Sequence, residues 1–228
     1  MPDFKGEQAT YYDERITRLV PGYELLHGLA GAQLQVLFPD EASILVVGAG
    51  TGKEIIELAR LNPNWSFIAQ DISEDMLAIA DQNFTNLGLK DRVQIHCGEL
   101  SSLTTSVDCA LCLLVLHFLE DNGDKKILLN QVNRVLKPQA PLLIADLMKP
   151  ETQFEREAQL VFCRTLGLTE VGQTRMRHNL AHEFFPLDRM RFSELLDECG
   201  FTTPHPFFKA LGFTGVSCNK SALLLLLG

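Results

Sequence analysis

The sequence predicts an α/β fold in which helices cover both faces of a mostly parallel sheet. Three observations support this prediction. Short, nearly continuous apolar runs alternate with amphipathic runs of helical spacing, as expected for repeated βα units. A glycine-rich turn, GAGTG, follows the first apolar run, and an acidic residue ends the next one, in AQDIS. Ligands bind beyond the carboxyl ends of the strands in such sheets, so these two turns mark the expected site.

The composition is that of a globular protein that binds a small molecule. The chain has 228 residues, of which 46% are hydrophobic and 21% are charged, and we interpret residues 1–228 as a single domain. A net charge of −9 does not suit a phosphate backbone, so we expect a small-molecule partner and no nucleic acid. We find no membrane span, and MPDFKGEQAT lacks the apolar core of a secretory signal, so we expect a cytoplasmic location and no membrane partner.

Helical segments separate the strand candidates. These candidates are 43–47, 66–70, 92–97, 107–115, 142–146, 206–210 and 214–220. Residues 1–40 are interpreted as N-terminal helices that break at Pro21–Gly22. Further helices are predicted to begin near Thr51, Ser73 and Gly123, with Ser73 as an N-cap.

The glycine turn sets Gly48, Ala49, Gly50 and Gly52 between a buried strand and a helix. Glycine lets a ligand approach the backbone closely, and the helix start supplies free N–H groups. Tight packing of the turn itself is the alternative. The spacing G-x-G-x-G differs from the dinucleotide fingerprint G-x-G-x-x-G, whose third glycine is replaced by Lys53, so a nicotinamide dinucleotide is the weakest candidate.

Residues at the ends of the next two strands complete a nucleoside site. Asp71, followed by Ile72, can accept hydrogen bonds from both hydroxyls of a ribose, or it can cap a helix. Glu99 is interpreted as an acceptor for the exocyclic amine of adenine, with a solvated loop acid as the alternative. Leu100 is expected to pack against the adenine ring.

Together these motifs resemble those of the class I methyltransferases, which bind S-adenosylmethionine (SAM). The resemblance covers about residues 15–220, through VVGAGTG, AQDIS, HCGEL, LLVLHFLE and RVLKPQAPLLIAD. It implies a Rossmann-like sheet of seven strands whose last strand is antiparallel. It also implies methyl transfer to a small molecule, with SAM as cofactor, S-adenosylhomocysteine as product, and Leu113 near the sulfonium.

A closer resemblance is to the carboxy-SAM synthases of the tRNA wobble-uridine pathway. It rests on RLVPGYELL, LHFLE and LLDECGF…FFKALGFTG, and it implies that Tyr23 contacts the cofactor. The subgroup's arginine for the added carboxylate aligns with Leu195, and its asparagine aligns with Leu113. Because a buried carboxylate without polar partners is unfavourable, we expect unmodified SAM. Arg189 and Arg191 nevertheless keep the carboxy-SAM alternative open.

His117 is the candidate general base, since it lies just past the fourth strand. A base helps only if the acceptor must lose a proton, and a structural histidine is the alternative. His178 and His182, four residues apart, would share a helical face, and Glu183 adjoins them, but no other ligand spacing supports a metal site, so we expect no metal.

Residues 151–190 are interpreted as a helical insertion that forms a lid over the methyl acceptor. The region is rich in positive charge, through Arg164, Arg175, Arg177, Arg189 and Arg191. Solvated helix faces explain these side chains, and attraction of an anionic acceptor is the sharper interpretation. A further helix is predicted over 187–199, ending at Gly200.

Two remaining features concern cysteines and the C-terminal end. Cys109 and Cys112 form a C-x-x-C motif on a strand, where residues three apart point to opposite faces, so we expect core residues and no disulfide. The apolar run ALLLLLG is interpreted as an extra strand, a homodimer contact or an altered chain end. A catalytically silent SAM-binding domain, dimeric through the insertion and this run, is a further hypothesis.

Overall fold

A sheet of seven strands runs through residues 11–222, the part of the chain that this computed structural model describes. The strands are β1 Ala42–Val47, β2 Trp65–Asp71, β3 Val93–Cys97, β4 Cys109–Leu113, β5 Pro141–Leu147, β6 His205–Ala210 and β7 Phe213–Asn219. Their order across the sheet is β3-β2-β1-β4-β5-β7-β6. β7 is antiparallel to both neighbours, whereas β1 to β5 pair in parallel. The predicted fold class, including the antiparallel last strand, is confirmed.

Helices separate the strands where the sequence predicted them. They are α1 Tyr12–Leu19, α2 Tyr23–Leu37, α3 Lys53–Leu61, α4 Glu74–Asn86, α5 Asp124–Val135, α6 Glu155–Thr165, α7 Glu170–His182 and α8 Arg189–Glu198. α1 and α2 flank the predicted break, where Gly22 has a φ of +73°. Ser73 is the N-cap of α4, since its side chain accepts a hydrogen bond from the N–H of Met76 at 3.3 Å.

Alternate residues of the central strands face two separate hydrophobic cores. In β1, Ile44 belongs to the core that α2, α3 and α4 cover, whereas Leu45 belongs to the core that α5 and α8 cover. The same alternation separates Cys109 from Cys112 on β4. Both side chains are fully buried, and burial raises the pKa of both thiols, so the prediction of two core cysteines is confirmed.

β4 is shorter than the predicted strand 107–115. It ends at Leu113 because Leu114 takes a φ of +64°, which is uncommon for a residue other than glycine. The N–H of Leu114 still donates to the carbonyl of Ala145 at 2.7 Å. The chain therefore turns sharply at the edge of the sheet where the site was predicted.

Two glycines of the GAGTG turn make room for protein side chains. A Cβ atom on Gly52, whose φ is +79°, would lie 2.5 Å from Cζ of Phe84. A Cβ atom on Gly48, whose φ is +68°, would lie 2.6 Å from Cγ2 of Val115. The alternative of tight packing therefore explains the glycine requirement at these two positions.

No helix within residues 11–222 is both long and apolar enough to cross a lipid bilayer. Apart from its first residue, the apolar run 222–228 lies outside the described residues, as does the N-terminal segment 1–10. The predictions made for both segments therefore stay predictions.

Replacing Gly52 with alanine is expected to lower the free energy of unfolding by about 2–4 kcal/mol, through the left-handed backbone and the clash with Phe84. Gly28→Ala is the matched control, because a Cβ atom there meets nothing within 4 Å. In the exposed face of α2 it should raise stability by roughly 0.5–1 kcal/mol. Urea denaturation measures both variants, and equal stability of Gly52→Ala and the parent protein would contradict the packing argument.

Candidate functional site

Two cavities open beyond the carboxyl ends of the parallel strands. The larger cavity has a volume of about 890 Å³ and lies between the glycine turn, the end of β2 and the start of α5. The smaller cavity has a volume of about 240 Å³ and lies between α1, the residues after β4 and α7. Both cavities are lined by Tyr12, Leu114 and Phe118. The two spaces therefore adjoin at these three side chains, which we call the collar.

The larger cavity brings together most of the residues predicted to bind a nucleoside. Its lining includes Gly48, Gly50, Asp71, Ile72, Glu99, Leu100 and Leu113. Ala49 and Gly52 are absent from that lining. The Ala49 N–H donates to the carbonyl of Gln70 at 2.8 Å, and the Gly52 N–H donates to the carbonyl of Ala49 at 2.9 Å. These two residues shape the turn, and their predicted contact with a cofactor has no counterpart in the cavity wall.

Asp71 connects the end of β2 to the glycine turn. Its Oδ2 atom accepts from the N–H of Gly50 at 2.9 Å, and its Oδ1 atom accepts from the N–H of Ser73 at 2.9 Å. Each carboxylate oxygen has a second lone pair. The carboxylate is thus fixed in orientation and can still accept hydrogen bonds from a vicinal diol.

Gln70 is a functional candidate that the sequence analysis missed. The side chain is 4% exposed, its Nε2 donates to the carbonyl of Gly98 at 2.7 Å, and its Oε1 accepts from the N–H of Gly48 at 3.4 Å. It therefore holds the turn after β1 and the loop after β3 at a fixed separation. An amide within the otherwise apolar strand FIAQ was the available signal.

The hydrogen bonds of the turn bear on which ligand fits. The N–H groups of Gly48, Ala49, Gly50 and Gly52 all donate to protein oxygens. A pyrophosphate would need free N–H groups at this turn, and these four are already engaged.

The larger cavity is also acidic. Its lining has no Lys, Arg or His among the described residues and five carboxyl groups, on Asp71, Glu74, Asp75, Glu99 and Asp124. This wall suits a cationic or neutral nucleoside and disfavours a dinucleotide phosphate.

Tyr23, the predicted cofactor contact in α2, lines neither cavity. It is 9% exposed, its ring centroid lies 4.4 Å from that of His27, and Lys53 Nζ lies 5.1 Å from its centroid. Tyr12 of α1 lines both cavities instead. The PGY motif marks a helix break whether its tyrosine contacts a cofactor or packs in the core. The motif alone therefore could not predict that the ring of Tyr23 lies in the core.

A buried histidine and glutamate lie next to Tyr23. His27 Nδ1 and Glu54 Oε1 are 3.8 Å apart, and neither atom has a hydrogen-bond partner. Burial lowers the pKa of His27 to about 4 and raises the pKa of Glu54 to about 8. Both groups are therefore mainly uncharged at pH 7, and the pair is a packed polar contact, not an ion pair.

His117 lies in the wall of the smaller cavity, paired with a residue that the sequence analysis missed. Its Nδ1 hydrogen-bonds to Oδ1 of Asp146 at the end of β5, and both side chains are buried. A carboxylate at Nδ1 favours the tautomer in which Nε2 is the basic nitrogen. The ring is held further by Phe184, whose centroid lies 4.9 Å away, edge-on. The N–H of Phe185 donates to the backbone carbonyl of His117 at 2.7 Å.

The smaller cavity carries the opposite charge. Arg15, Arg18 and Arg175 line it, and no Asp or Glu does among the described residues. Burial lowers the pKa of Arg15, and the neighbouring charge of Arg175 lowers it further. Arg18 is paired with Glu14 at 2.5 Å. The guanidinium groups of Arg15 and Arg175 thus lie close enough to influence each other in the wall of this cavity.

The predicted lid segment supplies one wall of this cavity. Its contribution includes Gly167, Thr169, Arg175, Met176 and Phe184, from the α6–α7 connection, α7 and the residue after it.

The other arginines predicted in that region have different surroundings. Arg177 pairs with Glu157 at 2.6 Å, and Arg191 pairs with Asp121 at 2.9 Å and Glu198 at 2.7 Å. For these two, solvated ion pairs are the correct interpretation.

Metal ligands are not assembled in the part of the chain that the structure describes. The rings of His178 and His182 stack at 4.6 Å on an exposed face of α7. Across residues 11–222, no three His, Cys, Asp or Glu side chains are grouped as a metal site would require.

Comparison with known proteins agrees with this geometry. Residues 45–142 match a methyltransferase domain family. Carboxy-S-adenosyl-L-methionine synthase 1 of Yersinia pseudotuberculosis (strain PB1/+) is 23% identical over 95% of this chain and 93% of its own. A ubiquinone/menaquinone biosynthesis C-methyltransferase of Marinomonas sp. (strain MWYL1) is 28% identical over 48% of this chain and 44% of its own.

Solved structures of methyltransferases share the fold. The mitomycin 7-O-methyltransferase MmcR superposes with a TM-score of 0.65 at 19% identity, over 86% of this chain and 53% of its own. The SAM-dependent methyltransferase SibL superposes with a TM-score of 0.64 at 18% identity, over 87% of this chain and 55% of its own. The chain spans about half the length of these two proteins. Fold, domain match and relatives agree: the chain has the fold of the class I SAM-dependent methyltransferases, and residues 45–142 within it are similar to a methyltransferase domain.

Proposed function

We propose that this domain transfers the methyl group of SAM to a small anionic acceptor bound in the smaller cavity. The observation that carries the proposal is the pair of adjoining cavities with opposite charge. The acidic larger cavity suits a nucleoside sulfonium, and the basic smaller cavity suits an anion. The buried pair His117–Asp146 contributes its histidine to the wall of the smaller cavity, which also includes the collar.

The residues of the larger cavity fit SAM. Asp71, fixed by Gly50 and Ser73, is the proposed ribose acceptor. Glu99 and Leu100 are proposed for adenine, and Leu113 lies toward the collar. We do not extend this role to Tyr23, Ala49 or Gly52, which the cavity wall does not include.

Bound SAM supplies a methyl group that is already activated, because its leaving group is a neutral thioether. The protein must therefore orient the acceptor and exclude water, and orientation of this kind contributes roughly 7–11 kcal/mol. Phe118, Phe184 and Phe213 give the smaller cavity its apolar wall. Where the acceptor atom carries a proton, Nε2 of His117 is the group that takes it, and Asp146 holds the ring and stabilises the resulting charge.

Carboxy-SAM synthesis is the second candidate. A synthase that is 23% identical over 95% of the chain favours it, and the arginines of the smaller cavity would suit a carboxylate donor. Against it, Leu195 is fully buried in a hydrophobic core, and Arg191 is engaged in surface ion pairs.

Three further interpretations have no support from the described geometry and stay predictions. These are a catalytically silent SAM-binding domain, a homodimer, and a cytoplasmic location. The interpretation of residues 1–228 as a single domain has the same standing.

Mass spectrometry of the reaction products separates the candidates. The purified protein is incubated with SAM and, in parallel, with a panel of hydroxylated and amino-substituted carboxylates or with prephenate. Methylated acceptor together with S-adenosylhomocysteine is the expected result. Carboxy-SAM formed only with prephenate would overturn methyl transfer, and SAM binding without turnover across the panel would support the silent domain.

Replacing His117 with glutamine should lower kcat by roughly 10²–10⁴-fold for an acceptor that must lose a proton. Asp146→Asn should lower it as well, because the tautomer with basic Nε2 is no longer favoured. The dissociation constant for SAM should stay within about twofold, measured by calorimetry, since neither residue lines the larger cavity. His205→Gln is the control, since His205 is an exposed residue of β6 and lines neither cavity. An unchanged kcat in His117→Gln would remove the base role.

Replacing Arg175 with glutamine should raise KM for a carboxylate acceptor about 10-fold or more, because one charge-assisted contact contributes roughly 1.5–3 kcal/mol. For the neutral amide of the same acceptor, the increase in KM should be smaller. Arg164→Gln is the control, since Arg164 is exposed and lines neither cavity. Equal KM changes for the acid and the amide would exclude charge recognition by Arg175.

A further inference from the structure

Tyr12 lies at the place where the two cavities meet. Of the three collar residues, Leu114 is aliphatic and Phe118 is an unsubstituted ring, so Tyr12 is the only phenol among them. None of the three carries a charge. A methyl group passes from the larger to the smaller cavity only if the sulfonium lies at this collar. The positive charge of the cofactor would therefore sit beside aromatic and aliphatic groups.

The helix that carries Tyr12 is fastened to the glycine turn. The hydroxyl of Thr51 donates to Oδ1 of Asp13 at 2.6 Å, and Asn83 Nδ2 donates to the carbonyl of Thr51 at 3.1 Å. The residue next to Tyr12 is thus tied to the turn that lines the larger cavity. This tie sets the position of the Tyr12 ring relative to that cavity.

The phenol of Tyr12 stays protonated at physiological pH. Burial raises its pKa well above the ordinary value, and the carboxylates of Asp13 and Asp71 raise it further. The ring is therefore neutral and electron-rich at its face, which attracts a cation by its quadrupole. Tyr23 is not equivalent, because it lines neither cavity and the ammonium of Lys53 lies 5.1 Å from its ring centroid.

We propose that the face of the Tyr12 ring recognises the sulfonium charge and so makes the larger cavity prefer SAM over S-adenosylhomocysteine. The two ligands share the nucleoside and the amino acid portion and differ by one methyl group and one positive charge at sulfur. A side chain that contacts the charge changes the affinity for SAM and leaves that for the product nearly constant. Tyr12 is then a specificity-determining residue that favours product release. This inference rests on the proposed location of SAM in the larger cavity.

Isothermal titration with SAM and with S-adenosylhomocysteine tests the proposal through the ratio of the two dissociation constants. Tyr12→Leu should weaken SAM about 5- to 10-fold and S-adenosylhomocysteine less than about twofold. Tyr12→Phe should keep the parent ratio, because the ring remains. Tyr11→Leu is the matched control, since the neighbouring Tyr11 is 61% exposed, and it should change neither constant.

A second variant, with a ring of similar shape and altered charge distribution, tests the proposal if Tyr12→Leu fails to fold. Pentafluorophenylalanine at position 12 reverses the ring quadrupole and should weaken SAM selectively. Equal weakening of both ligands in Tyr12→Leu, or a parent ratio with the fluorinated ring, would overturn the proposal. A changed ratio of the two dissociation constants in Tyr12→Phe would also overturn the proposal, because the preference for SAM would then depend on the hydroxyl group.

Asp71→Ala separates the failure of this inference from the failure of the proposed site. It should weaken both ligands to a similar extent, because both carry the ribose. If it does so while the Tyr12 variants leave the ratio unchanged, the site stands and the role of Tyr12 falls. If Asp71→Ala weakens neither ligand, the proposed location of SAM is wrong and the inference falls with it.

Discussion

The parallel pairing of β1 with β2 and with β4 is the constraint on which the site depends. Val47 pairs with Gln70 and with Cys112, so three strands end at nearly the same height. The turn after β1, the carboxylate after β2 and the sharp turn at Leu114 are thereby brought to one edge of the sheet. A shift of one residue in either pairing would move every side chain of the shifted strand to the opposite face of the sheet. The geometry of the candidate site is therefore a consequence of strand register.

Sequence reasoning found the parts of the site that local patterns encode. Gly48 follows the apolar strand β1, Asp71 ends the apolar strand β2, and Ser73 is a residue type common at N-caps, so the fold and the residues around the larger cavity could be predicted. The partner of His117 was not, because Asp146 is 29 residues away along the chain and is brought close only by the pairing of β4 with β5. Tyr12 was overlooked for a related reason, since nothing local distinguishes it from Tyr11 or Tyr23.

Glycine requirements illustrate a different limit. The spacing of the GAGTG turn indicated close approach to the backbone, and the structure supplies that approach at two positions. The atoms concerned belong to Val115 and Phe84 of the protein itself. A sequence pattern reports that space is needed and does not report what fills it. Only the tertiary contacts distinguish a ligand cradle from a packing requirement.

The hydrogen bond from the Phe185 N–H to the His117 carbonyl affects which end of α7 could adapt to acceptors of different size. The segment just after α7 is anchored to His117, the proposed base in the loop after β4, and Phe184 lies against the ring of the same histidine. At the opposite end of the helix, Gly167 and Gly172 line the smaller cavity. In the proposed function, the glycine-bearing end is therefore the part of α7 that sets the size of the acceptor.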